Sequence, residues 1–229
     1  MPNRAILTSV FLVFMLCLFC TNAFADGADD GGLDLRFGLA ADVLRVVPTV
    51  SASAMGMSYT ESGDAVNFDG LMGQISIGYR WSMGGIYLTQ DLGGVWLNES
   101  GEDYENGIKK GRFLGGTFIE GRFIIPATYN FQIDIGAGVG IMYGHGTKRD
   151  SDDYTPSLIY NDRGDPSVAP AFKVGLSLLY YITPNFGLGV FCDYNYAFKI
   201  FEDYEDGFDM KITMNYHVVN PGILFMAKF

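Results

Sequence analysis

The side chains able to do chemistry in this sequence are few and scattered. It holds two histidines, His145 and His217, among 229 residues. His145-Gly146-Thr147 sets a hydroxyl two residues from an imidazole, the pairing a nucleophilic mechanism uses, but no carboxylate stands at a matching position to orient the ring. The acidic runs Asp150 to Asp153 and Glu202 to Asp209 offer oxygen donors for a divalent cation. They lack the fixed order of a calcium loop, and like charges in series read more simply as solvated, repelling loops. No catalytic, cofactor or metal site is read from these residues. What remains is a set of charged and amide residues at period-2 positions: Asp34, Arg36, Asp42, Gln74, Arg80, Glu120, Arg122, Gln132, Asp134, Lys173 and Asp193. Their meaning depends on the elements that carry them.

Those elements are strands with two unlike sides. In Phe131 to Tyr143, Phe131, Ile133, Ile135, Ala137, Val139, Ile141 and Tyr143 fall on one face, and Gln132, Asp134 and four other residues on the opposite face. Alternation held over this length specifies a β-strand, long enough to cross a bilayer when tilted. The same rule marks strands at 33–43, 71–81, 86–97, 113–125, 170–182, 186–198 and 210–229. Two breaks in the pattern call for β-bulges. Gln90 falls on the apolar face of Ile86, Leu88 and Leu92, so a bulge is expected near Asp91. In the last strand the apolar phase changes around Asn220-Pro221, where a bulge would also tolerate the missing N–H of proline. Residues 48–68 lose the strong pattern, although Val50 to Tyr59 keeps enough β character to extend the flanking strands. Residues 98–111, 144–167 and 199–209 read as polar loops.

The N-terminus fixes the compartment. Arg4, the apolar run Ala5 to Phe19 and the small-residue site Ala23-Phe24-Ala25 have the order of a cleavable secretory signal peptide over residues 1–25. Phe19 before Cys20 excludes a lipid-modified cysteine. Cleavage would leave Cys192 as the one cysteine, so no internal disulfide is possible. The net charge of −11 becomes −12 with the loss of Arg4, a balance that excludes nucleic acid as a partner. Residues 26–32 read as a flexible periplasmic leader, and 33–229 as a single domain. No later segment approaches the length of a transmembrane helix.

Connections alternate long and short, the short ones being Ser82 to Gly85, Pro126 to Asn130 and Thr183 to Asn185. Eight antiparallel strands joined this way are the pattern of an outer-membrane barrel with short periplasmic turns and long external loops. In lipid the sheet must close, because every unpaired backbone group at an open edge costs several kcal/mol. Aromatic residues gather at both strand ends, including Tyr79, Trp81 and Phe186 at one and Trp96, Tyr143 and Tyr194 at the other, as interfacial belts do. The fold expected is therefore all-β: an eight-stranded antiparallel up-and-down transmembrane β-barrel, its apolar face to lipid and its charges to the lumen.

With its signal peptide, eight-strand pattern and C-terminal Gly222-Ile223-Leu224-Phe225-Met226-Ala227-Lys228-Phe229, the chain resembles the small outer-membrane β-barrels, including the outer-membrane protein A transmembrane domain and opacity-type surface proteins. The resemblance implies outer-membrane location, lipopolysaccharide contact, and Phe229 as the signal read by the barrel-assembly machinery. Three roles stay open. One is a structural or adhesin-like surface role without catalysis, the acidic loops meeting an extracellular ligand. Another is a passive porin-like channel, with Arg36, Arg80, Glu120, Arg122, Asp134 and Lys173 lining a polar path, helped by a crevice at Gly136, Gly138, Gly140, Gly187 and Gly189. A lipid A-modifying barrel enzyme, using His145, is the third.

Overall fold

The structure, a computed structural model, describes residues 31–54, 57–97, 104–105, 108–109, 111–145, 167–205 and 208–229. The signal segment, most of the leader, Thr147 and the Asp150 to Asp153 run lie outside the described residues. The strands are β1 (Gly32–Ala54), β2 (Met57–Ser62), β3 (Val66–Trp81), β4 (Gly84–Leu97), β5 (Tyr104–Glu105), β6 (Ile108–Lys109), β7 (Gly111–Pro126), β8 (Phe131–His145), β9 (Ser167–Thr183), β10 (Phe186–Glu205) and β11 (Phe208–Lys228). Eight of them, β1, β3, β4, β7, β8, β9, β10 and β11, follow one another around an antiparallel sheet that closes where β1 pairs with β11. Closure runs from Asp34↔Lys228 to Ser53↔Asp209. The short turns are tied into the ladder as well. Lys228 N donates to Asn185 O at 2.8 Å, Tyr181 N to Asn130 O at 2.7 Å, and Phe229 N to Leu33 O at 2.9 Å.

Sidedness follows the alternation. Leu39, Leu71, Ile86, Ile119, Val139 and Ile182 project from the outside of the wall and are exposed, whereas Asp34, Arg36, Glu120, Asp134 and Lys173 are buried within it. A polar interior inside an apolar girdle is stable in hydrocarbon and would be inverted in water. The protein is a transmembrane β-barrel of the outer-membrane kind.

Neither expected bulge forms. The β3–β4 register runs unbroken from Phe68↔Leu97 to Trp81↔Gly84, and β4–β7 is equally continuous. Gln90 simply faces outward and is satisfied there. Its amide donates to Gly116 O at 2.9 Å and to the Tyr143 hydroxyl, and its carbonyl accepts from Thr117 Oγ1 at 2.8 Å. Local hydrogen bonding, not a register slip, resolves the polar residue on the lipid face. The β10–β11 register also passes through Cys192↔Pro221 without a shift. The apparent phase change has another cause: Met214, Tyr216 and Val218 point inward into an apolar part of the lumen, followed on the same face by Asn220. The one register irregularity in the β9–β10 ladder lies between Phe186 and Gly187.

One expected loop, 199–209, is largely strand, and the β character read in Val50 to Tyr59 does extend the flanking strands. β10 continues to Glu205 and β11 begins at Phe208, so Glu202, Asp203, Glu205 and Asp209 stand in a hairpin. β1 extends to Ala54 and folds back as β2, pairing from Thr49↔Ser62 to Ala54↔Met57. A short β5–β6 hairpin occupies part of the 98–111 connection. Crossing a bilayer takes roughly 9 to 11 tilted residues. The 23 residues of β1, 20 of β10 and 21 of β11 therefore reach well past the membrane on the long-loop side. There β10, β11, β1 and β2 form a four-stranded sheet above the rim.

Candidate functional site in the barrel lumen

The lumen is built by strands that place charges two residues apart, hence on one face: Asp34 and Arg36 on β1, Glu120 and Arg122 on β7, Gln132 and Asp134 on β8. Nearest the short turns, Arg80 Nη1 donates to the Tyr181 hydroxyl at 2.7 Å and Lys228 Nζ lies 3.8 Å above the Tyr181 ring. The Tyr181 hydroxyl donates to Gln132 Oε1 at 2.8 Å, and Gln132 Nε2 donates to Asp134.

Above this lies Arg36, fully buried. Its guanidinium donates to Asp34 Oδ2 through Nε at 3.2 Å and Nη2 at 2.8 Å, and to Asp134 Oδ2 through Nη1 at 2.7 Å. The Tyr87 hydroxyl donates to the same Asp34 oxygen at 2.7 Å. The Tyr87 ring sits between two guanidiniums, 4.5 Å from that of Arg36 and 5.1 Å from that of Arg122, where its π face offsets part of their desolvation. The ring needs bare backbone beneath it: a Cβ at Gly78 would fall 2.4 Å from Tyr87 Cδ1, and one at Gly85 2.7 Å from Cε2.

The next layer centres on Lys173. Its ammonium meets Asp91 at 2.8 Å, Asp193 at 3.0 Å and Glu120 at 3.6 Å. Glu120 is held from the other side by Arg122 at 2.7 Å, and Gln74 Nε2 bridges Asp91 and Asp193 at 3.1 and 2.8 Å. Higher still, Asn220 Nδ2 donates to Asp42, and Asn195 Nδ2 donates to Asn220 Oδ1 at 3.0 Å. The long-loop half is then filled by an apolar cluster that includes Leu44, Phe68, Leu114, Phe118, Met142 and Tyr216.

Of the residues expected to line a path, Arg36 and Asp134 pair directly, Lys173, Glu120 and Arg122 form a second group, and the Tyr87 ring joins the two. Arg80 stands apart at the mouth, half-buried and bonded to a phenol. The expected glycine crevice is occupied. Phe118 lies against Gly140, Tyr181 against Gly187, and the Glu120 and Arg122 side chains against Gly138 and Gly136. Asp91 and Tyr87 were not among the expected lumen residues: the bulge expected near Asp91 left its side open, and Tyr87, opposite Ile86 and Leu88, is an aromatic where only charges and amides were assigned to the lumen. Unbroken parity from Tyr87 through Thr89, Asp91 and Val95 is the signal that finds them.

His217 belongs to the outer wall: its Nδ1 shares a hydrogen bond of 2.7 Å with the Tyr194 hydroxyl and its ring packs 5.2 Å from Tyr196. His145 ends β8 opposite Phe113. Among the described residues no group of three or more His, Cys, Asp and Glu side chains is placed to hold a metal ion.

No protein-family model and no curated protein sequence matches the chain. Among solved structures it is similar to Neisserial surface protein A (14% identity, 82% of this chain and 97% of that chain covered, TM-score 0.43). It is also similar to the outer membrane protein OprG from Pseudomonas aeruginosa (12% identity, 86% and 96% covered, TM-score 0.43). A third is the outer membrane protease OmpT from Escherichia coli (10% identity, 88% and 98% covered, TM-score 0.37). Likenesses this distant assign no role, and the barrel rests on its own register and sidedness.

Proposed function

We propose that the protein is a closed outer-membrane barrel that works at its external face, as a structural or adhesin-like surface protein, without catalysis and without conducting solutes. One observation carries this reading: the lumen is packed along its length, first by paired charges and then by the apolar cluster around Phe118 and Tyr216. A solute would have to break buried ion pairs, each held in place by several kcal/mol against removal of one partner, and then cross an apolar layer. An eight-stranded barrel is just wide enough for side chains to fill it.

What such a barrel offers its surroundings is the sheet above the rim. The β1–β2 hairpin bears Thr49, Ser51, Ser58, Thr60 and Ser62, with Ser51 Oγ 3.2 Å from Thr60 Oγ1, and the neighbouring hairpin bears Glu202, Asp203 and Asp209. Tyr59 donates to Glu61 there, and that bond holds its phenol above the ordinary range. A polar, acidic sheet of this kind suits contact with an extracellular ligand or with the lipopolysaccharide headgroup layer. Phe229, ending the strand that closes the barrel, serves in this reading as the signal for the assembly machinery. Planar-bilayer recording with the refolded protein tests the central claim: no reproducible conductance steps are expected. Stable, charge-selective steps that change when Lys173 or Arg36 is replaced would favour the channel instead.

A further inference from the structure

We infer that the outer wall carries a binding site for one phosphate group of a lipopolysaccharide molecule, built by Asn67, Arg45 and His217 in one row across β3, β1 and β11. The inference rests on the surface reading for its orientation, which puts this end of the barrel in the external leaflet.

Register makes the row. Arg45 pairs with Asn67 on one side and with His217 on the other, and His217 pairs in turn with Tyr196. All four side chains project outward, because their chain neighbours Leu44, Phe68, Tyr216 and Ala197 are buried in the lumen. Adjacent strands lie about 4.8 Å apart, so Asn67, Arg45 and His217 together span roughly 10 Å.

Hydrogen bonding leaves the row with unused donors. The exposed Arg45 guanidinium makes no hydrogen bond or ion pair with any described residue, and neither does the exposed Asn67 amide. His217 Nδ1 is engaged by the Tyr194 hydroxyl at 2.7 Å. With that hydroxyl donating, the ring proton sits on Nε2, which has no partner among the described residues. Tyr196 turns its own hydroxyl away, donating to Asn215 Oδ1 at 2.8 Å. Asp69, the next outward residue on β3, makes no ion pair with Arg45.

Height places these donors against a head group. Below Arg45 the outward face of β1 is apolar from Leu33 to Val43. That length, at about 3.3 Å per residue and a tilt of about 40°, rises roughly 25 Å, the height of the lipid-facing band. Arg45 is the next outward residue, so it stands where acyl chains end. Tyr194, Tyr196 and Phe198 beside it supply the aromatic girdle of that depth.

Chemistry narrows the occupant to an anion. A phosphate offers oxygens to the guanidinium fork and to an imidazole N–H at once. The wall directly below is Val43 and Val219, both exposed to acyl chains, so the phosphate belongs to a lipid and not to a free ion. In the external leaflet that lipid is lipopolysaccharide.

The test titrates the refolded full barrel, in a maltoside detergent with EDTA, with short-chain lipopolysaccharide and counts retained lipid by native mass spectrometry. EDTA keeps metal-bridged contacts with the acidic sheet out of the count. The wild type should retain one lipopolysaccharide and hold the same molecule stripped of its phosphates about tenfold more weakly or worse. Arg45→Gln should weaken retention by about the same factor, its lipid-free unfolding midpoint unchanged. His217→Phe, which keeps the ring against Tyr196 but not the donor, should weaken it severalfold. Equal retention of the dephosphorylated lipid, or unchanged retention by both variants, would overturn the site. Phosphatidylglycerol held as tightly as lipopolysaccharide would overturn the choice of lipid. Conductance steps in planar bilayers would instead overturn the surface reading and leave these binding results as they stand.

Discussion

Lys173 shows how much of this protein's order rests on single side chains. Its ammonium is the shared partner of Asp91, Asp193 and Glu120, and it is 2% exposed. Removing one member of a buried ionic group costs about 3–5 kcal/mol, mostly from the charges left behind. Lys173→Met should therefore lower barrel stability by roughly that amount, read as the shift in the urea midpoint of the folded band on unheated gels. Replacing Asp91 and Asp193 with Asn in the same chain should recover part of the loss, because fewer charges then lie unpaired. Most of this chemistry was legible in the sequence, where pairs such as Asp34 with Arg36 and Glu120 with Arg122 announce one face. Which carboxylate meets which cation was not. Asp134 reaches Arg36 across 98 positions of sequence, a contact that only ring closure decides.

At the scale of elements, strand identity was readable wherever lipid imposes alternation and only partly readable where it stops. Between residues 33 and 43 one face must be apolar, so the period is visible. Above the rim lipid no longer imposes that period, and the same backbone ladder continues through 202–205 without it and through Val50 to Ser53 with β character alone to mark it. Pairing there is inherited from the register below, as Ser53↔Asp209 continues Asp34↔Lys228. Misreading Gln90 and Met214 to Val218 has the related cause that a chemically mixed face looks like a slipped one. The extension should accordingly be separable from the barrel. Excising residues 50–61 and closing the gap with glycine should leave the heat-modifiable gel shift intact and its midpoint nearly unchanged. A collapse of the folded band would mean that the external sheet supports the membrane part.

For the whole molecule, the combination of an apolar outer wall, a filled interior and strands of unequal height defines a direction as well as a place. Short turns such as Trp81–Gly84 mark the periplasmic end in barrels of this architecture, and the long strands mark the external end. That assignment fixes where the polar sheet stands and therefore what it can touch. It can be checked in a Cys192→Ser background, because Cys192 is the one cysteine outside residues 1–25 and sits exposed on the lipid face. Ser58→Cys on β2 should react with a membrane-impermeant maleimide in intact cells. Ser82→Cys, in the β3–β4 turn, should react only after the outer membrane is permeabilised. The reverse pattern would put the sheet in the periplasm and leave an adhesin-like role without a surface. Labelling at Ser58→Cys alone would instead give the filled barrel its simplest physical sense: a rigid anchor, sealed by its own side chains, holding an acidic sheet outside the cell.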